Sequence, residues 1–112
     1  MTQATEQVRH LVFFQFKPET SPEKVHEIED AFVALAQKID LVIGFEWNNK
    51  NLSVENLGQG YSHCFLLTFG CREDSVLYLI NPDHVAFTQL VGPYVEQVMV
   101  HDFLPRVVPT HC

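Results

Sequence analysis

Along residues 9–17, RHLVFFQFK, even positions put His10, Val12, Phe14 and Phe16 on one face of an extended segment, while Leu11 and Phe13 fall on the other. Successive side chains of a strand point to opposite sides, so this segment predicts a strand that is apolar on both faces. The period then changes. Val25, Ile28, Phe32, Leu35, Ala36 and Ile39 recur at helical spacing behind Ser21-Pro22, an N-cap followed by a proline where its missing N–H costs nothing. This helix is expected to end between Lys38 and Asp40. His26, Glu27, Glu29 and Asp30 are expected mostly outside its buried stripe, with the acidic run as a solvated face.

Alternation returns over 41–48, where Ile43, Phe45 and Trp47 share a face. It returns again over 61–69, where Tyr61, His63, Phe65, Leu67 and Phe69 oppose Cys64 and Leu66. The polar stretch between these strands, 48–60, reads as a long loop. Residues 72–80 read as helix, interrupted at Asn81-Pro82 because the residue before proline avoids the α region. The helix resumes over 83–91 and stops at Gly92-Pro93. A last strand follows over 97–104, with Val98, Val100, Asp102 and Leu104 opposing Met99, His101 and Phe103. The order predicts an α+β, ferredoxin-like domain over residues 8–104: a four-stranded antiparallel sheet with helices on one face. Residues 1–7 are expected to be disordered or extended, and 105–112 to form a tail.

Helices can cover only one face of that sheet, yet strands one, three and four are apolar on both. A homodimer packed sheet against sheet, with a higher oligomer left open, would cover the second face. With 112 residues and 46% hydrophobic content, one domain can bury a modest core. A net charge of −7 from 14 acidic and 7 scattered basic residues argues against nucleic acid and anionic membranes as partners. The polar first residues and the lack of a long apolar run predict neither a secretory signal nor a membrane span, which fits a cytoplasmic location. Cys64, Cys71 and Cys112 make no zinc or redox spacing. Cys64 is expected to pack in its strand and Cys112 to be a tail thiol.

Chemistry is concentrated in His10, Tyr78 and the turn Asn81-Pro82-Asp83-His84. If the long helix covers the even face of strand one, then Val12, Phe14, Phe16, Ile28 and Phe32 line one chamber with His10, and Tyr78 and His84 overlie it. His84 falls near a helix start, where the macrodipole disfavours a protonated imidazole and leaves a neutral base. Tyr78 could donate a hydrogen bond to a carbonyl or enolate oxygen. Asp102 either orients His10 or lies at a strand end in water. His63 either faces Phe65 and Leu67 or is solvated near its strand start. A histidine on an apolar face is more often a satisfied core residue than a catalyst, and an isolated tyrosine more often packs. No histidine pair has metal-ligand spacing, so no metal is expected, and no phosphate loop, dinucleotide fingerprint or nucleophile elbow is present.

The segments VRHLVFFQFK (8–17), SPEKVHEIEDAFVAL (21–35), FEWNNKNLSVENLGQGYSHCFLLTF (45–69), YLINPDHVAF (78–87) and VHDF (100–103) resemble the stress-responsive dimeric α/β-barrel (Dabb) family. The resemblance spans about residues 8–104. It implies a ferredoxin-like protomer, a homodimer whose two sheets form a barrel, and no cofactor. The family includes plant heat-stable stress proteins and a polyketide cyclase that works by intramolecular aldol condensation without a metal. By motif the cyclase's tyrosine–histidine pair falls on Tyr78 and His84, and its supporting residues fall on His10, His63 and Asp102. The resemblance implies that His84 acts as general base and Tyr78 holds the carbonyl that becomes an alkoxide. The pocket wall, with Val12, Phe14 and Phe87, departs from the cyclase at Phe32 and Ile28, and Asn81 replaces the histidine usual in that turn. A different wall implies a different acyl chain.

Two functions compete at this point. One is an apolar pocket for a hydrophobic or polyketide-like ligand, with acid–base chemistry at His84 and Tyr78. The other is a non-catalytic stress or structural protein valued for oligomer stability. A cofactor-independent monooxygenase is a third and weaker reading, because such enzymes share the dimeric ferredoxin-like plan.

Overall fold

The computed structural model describes residues 6–110. Strand β1 spans Val8–Phe16, helix α1 Pro22–Lys38, β2 Val42–Asn48 and β3 His63–Phe69. Helices α2 (Arg72–Ile80) and α3 (Pro82–Val91) follow, and a 3₁₀ turn at Gly92–Tyr94 leads into β4 (Val95–Phe103). All strand pairings are antiparallel in the order β2-β3-β1-β4, the ferredoxin-like arrangement, with β2 and β4 at the edges. Most of the predicted N-terminal extension, His111 and Cys112 lie outside the described residues. Residues 104–110 form neither helix nor strand. Among the described residues no helix is long and apolar enough to cross a membrane.

Local chemistry sets the element ends. The Ser21 hydroxyl accepts from the Lys24 amide at 3.1 Å and caps α1. Asn81 is extended (φ −62°, ψ 131°), as a residue before proline prefers, which ends α2. Its side-chain oxygen then accepts from the Asp83 amide at 2.9 Å and caps α3. The long loop closes through Gln59 and Gly60, both at positive φ (58° and 87°), and the Gln97 side chain donates to the Gln59 carbonyl at 2.6 Å. A Cβ at Gly60 would meet only the mobile end of the Gln15 side chain, 2.8 Å from its amide nitrogen, so it is the positive φ that favours glycine in this turn.

The core lies between the helices and the even face of β1. Val8, Val12 and Phe14 meet Phe65, Leu67 and Phe69 of β3 beneath Ile28, Phe32, Leu35 and Ile39 of α1. Phe32 is the hub: its ring centroid lies 4.4 Å from Phe65, 4.7 Å from Phe87, 5.3 Å from Phe45 and 6.1 Å from Phe14. Burying such a ring contributes about 1.5–3 kcal/mol before packing is counted. On the opposite face no helix among the described residues covers the sheet. Leu11 and Phe13 are half-buried there, while Met99 and Phe103 are exposed.

Three details differ from the sequence pattern. A bulge between Val42 and Gly44 makes Ile43 the extra residue, so Val42, Phe45 and Trp47 pair with Phe69, Leu67 and Phe65, and Ile43 is 56% exposed. Tyr61 precedes β3 and its ring lies 6.0 Å from Phe13, on the opposite side from Phe65. Glu29 is not part of a solvated face. It is buried, with only 4% of its surface exposed, whereas Glu27 and Asp30 are exposed as expected.

Candidate functional site

The break between α2 and α3 assembles the central pair. Tyr78 stands in the last turn of α2 and His84 in the first turn of α3. The kink at Asn81-Pro82 folds one onto the other, with ring centroids 4.4 Å apart. A helix end leaves its last carbonyls unpaired. One of these, on Leu79, accepts from Nδ1 of His84 at 3.1 Å. A carbonyl only accepts, so the proton sits on Nδ1 and Nε2 carries the lone pair. Burial lowers the His84 pKa below the ordinary imidazole value. The Leu79 hydrogen bond opposes that shift, and positive charge on nearby His10 adds to it.

Tyr78 is almost fully buried against Phe69 (centroids 5.0 Å) and His10 (6.0 Å), and its hydroxyl has no hydrogen-bond partner among the described residues. Burial pushes the phenol far above its ordinary pKa, so it remains an O–H donor at any physiological pH. His10 of β1 faces Asp102 of β4 directly across the ladder, and Nδ1 lies 2.5 Å from the Asp102 carboxylate. The His10 side chain is buried and that of Asp102 is half exposed.

These groups share a cavity of about 490 Å³ between the helix pair and β1–β4. Strand β1 contributes His10, Val12 and Phe14; the helices contribute Phe32, Tyr78, Leu79, His84, Phe87, Thr88 and Val91. Edge strand β4 contributes Glu96, Gln97, Val98, Val100 and Asp102. Its volume falls in the range of small-molecule pockets, and most of its lining is apolar. No group of three or more His, Cys, Asp or Glu among the described residues is arranged to hold a metal ion.

Three of the residues expected at the site lie elsewhere: Phe16, whose ring packs edge-on against His63 (centroids 4.9 Å), Ile28 and His63. Ile28 is wholly inside the core and does not line the cavity. His63 sits in a separate buried network: Nε2 donates to Glu29 at 2.7 Å, leaving Nδ1 to accept from the Ser62 hydroxyl at 2.7 Å. Glu29 also accepts from Asn49 at 3.3 Å and from His26 at 3.1 Å. Burial opposes ionisation of Glu29, yet the hydrogen bonds from His63, Asn49 and His26 outweigh it and hold the carboxyl below its ordinary value. Sequence reasoning missed this network, although Glu29 stands four residues after Val25 and three before Phe32, on the apolar stripe itself. It also missed Thr88, Glu96 and Gln97 at the cavity, where only the tertiary arrangement identifies them.

The sequence of residues 8–105 matches the model of the stress responsive A/B barrel domain. The stress-response A/B barrel domain-containing protein HS1 of Arabidopsis thaliana is 35% identical, over 96% of this chain and 98% of that protein. Olivetolic acid cyclase of Cannabis sativa is 29% identical, over 88% of this chain and 97% of its own. The structure of a hydroxynitrile lyase from Passiflora edulis superposes with a TM-score of 0.85 at 23% identity, over 93% of this chain and 98% of that one, a likeness of fold. With the four-stranded sheet, its helical cover and a family match across nearly the whole length, the chain belongs to the stress-responsive A/B barrel domain family.

Proposed function

We propose that the cavity binds a small hydrophobic, polyketide-like ligand and supports acid–base chemistry of the aldol-cyclase type, with His84 as base and Tyr78 as hydrogen-bond donor. The observation that carries this reading is the pairing of a free His84 Nε2 with an unpartnered Tyr78 hydroxyl on one apolar wall. In the step envisaged, Nε2 takes a proton from the carbon between two carbonyls. The resulting carbanion attacks a third carbonyl, farther along the same chain. Tyr78 donates to the oxygen that becomes an alkoxide, and the imidazolium returns its proton there. A phenol held neutral by burial suits that role. Asp102 and His10 would position the far side of the ligand. The likeness to a cyclase over most of the chain supports the reaction class.

Two copies packed through the uncovered sheet face would form the working unit. Leu11, Phe13, Met99 and Phe103 on that face supply apolar surface for it. The same surface is what a non-catalytic, stability-based role would use, so one experiment separates the two. His10, Tyr78 and His84 signals are followed by NMR while alkylresorcinols and linear poly-β-ketones are added, with cyclised product measured in parallel. Product formation that disappears in His84→Ala, with dimer and fold intact, supports the catalytic reading. Absence of both binding and turnover leaves the structural one.

A further inference from the structure

The buried network around His63 links a hydroxyl, an imidazole and a carboxylate in sequence. The Ser62 hydroxyl lies 2.7 Å from Nδ1 of His63, and Nε2 lies 2.7 Å from Glu29. The direction of these bonds is settled by Glu29. It is buried, and its hydrogen bonds hold it below the ordinary carboxyl value, so it is an anion that only accepts. The imidazole proton therefore sits on Nε2, and the Nδ1 lone pair faces the Ser62 O–H. Glu29 is itself held in place, one oxygen by His26 at 3.1 Å and the other by Asn49 at 3.3 Å. Phe16 and Phe65 flank the imidazole. A serine donating to a neutral histidine oriented by a carboxylate is the arrangement that activates a hydroxyl as a nucleophile.

The hydroxyl also has somewhere to act. Ser62 is exposed, and with His63 it lines a second cavity of about 480 Å³ on the sheet face away from the helices. Phe13, Leu52, Leu57 and Met99 give this cavity apolar walls, and Lys50 and Asn51 bring a cation and an amide donor to it. The chemistry assigned to His84 and Tyr78 uses none of these groups. Phe13 and Met99 also belong to the face proposed to pair two copies, so the cavity borders that interface in the working unit.

We propose that Ser62, His63 and Glu29 form a second site, which hydrolyses small esters with an apolar acyl chain. The Ser62 oxygen attacks the ester carbonyl while its proton passes to Nδ1 of His63. The Oγ–C bond forms, the bond to the alcohol oxygen breaks, and the imidazolium gives its proton to that oxygen. Water then attacks the acyl-serine and its proton goes to Nδ1. The Oγ–C bond breaks, the proton returns to Ser62, and a carboxylic acid leaves. Glu29 is a positioning residue, which fixes the tautomer and stabilises the imidazolium formed in each step. The Ser62 amide is committed to the Phe14 carbonyl, so Lys50 and Asn51 are the donors left to meet the carbonyl oxygen as it gains charge.

The test incubates the full chain with 4-nitrophenyl butyrate and, separately, with an alkyl fluorophosphonate whose adduct is mapped by mass spectrometry. Hydrolysis well above that of free imidazole at the same concentration is expected, with one phosphonate per chain, on Ser62. Ser62→Ala, a change at an exposed position, should abolish the adduct and lower hydrolysis by about a hundredfold or more. Glu29→Gln should slow both reactions by about tenfold and move the acid limb of the pH–rate profile to lower pH, because the imidazolium loses its counter-charge. A purely structural Glu29 would leave that limb in place. Unchanged hydrolysis in Ser62→Ala, or a folded protein that takes up no phosphonate on Ser62, overturns the proposal and makes the network a structural one.

Discussion

His84 is tied by Nδ1 to the carbonyl of Leu79, five residues earlier and across a helix break. The bond exists because α2 ends there with unpaired carbonyls, and it fixes which imidazole nitrogen faces the ligand. If the proposed chemistry operates, His84→Ala should lower turnover by about 10²–10⁴, the usual worth of a general base, with the circular dichroism spectrum unchanged. Because the folded pKa is depressed, the neutral base persists as pH falls below the ordinary imidazole value of 6.5. Activity should therefore hold into mildly acidic solution, and a steep loss above that value would count against His84 as the base.

Asn81 caps α3 through the Asp83 amide and sits at the hinge that sets Tyr78 against His84. Asn81→Ala should cost about 1 kcal/mol in denaturant-measured stability, typical of a lost cap. It should also loosen the ring pair, read as a change in the His84 imidazole chemical shift.

Tyr78 has its pKa raised, so above pH 10 the unfolded chain releases a phenolic proton that the folded chain retains. The folded state then binds more protons than the unfolded one, and stability falls as pH rises. Thermal unfolding between pH 9 and 11 should show this loss, and Tyr78→Phe should reduce it. An identical alkaline slope in the variant would contradict the burial argument.

Glu29 makes the opposite case. Its folded pKa lies below 4.5, so its stabilisation is present above that value and is lost as pH falls through the folded pKa. His63→Leu removes the main partner of a buried carboxylate and should cost about 3 kcal/mol at pH 7. Glu29→Gln combined with His63→Leu should cost less than the sum of the two single changes, because neither then leaves a charge stranded. Strict additivity in chemical denaturation would mean that the pair does not interact.

The hydrophobic core can be checked at Phe32. Four other rings surround it, and it also lines the cavity. Phe32→Ala should destabilise the fold by about 3–5 kcal/mol, measured by urea unfolding.

The sequence by itself determined the element order, the Ser21 and Asn81-Pro82 boundaries and the apolar even face of β1. These follow from local sterics and from periods of 2 and 3.6 that any single chain displays. The grouping of His10, Tyr78 and His84 was legible too, because alternation gave His10 a face and the ferredoxin-like order laid the two later helical segments over it, whereas Asp102 was left open between His10 and water until the β1–β4 register paired them. Tertiary structure alone decided what depends on more than one element. The bulge that releases Ile43 is set by pairing with β3, not by β2 itself. Glu29 lies on the apolar stripe, but a carboxylate is stable there only because His63 and Asn49, remote in sequence, reach it with hydrogen bonds. The acidic rim of the cavity arises because Glu96 and Asp102 sit on an edge strand whose neighbour is His10, a relation fixed by sheet order rather than by spacing.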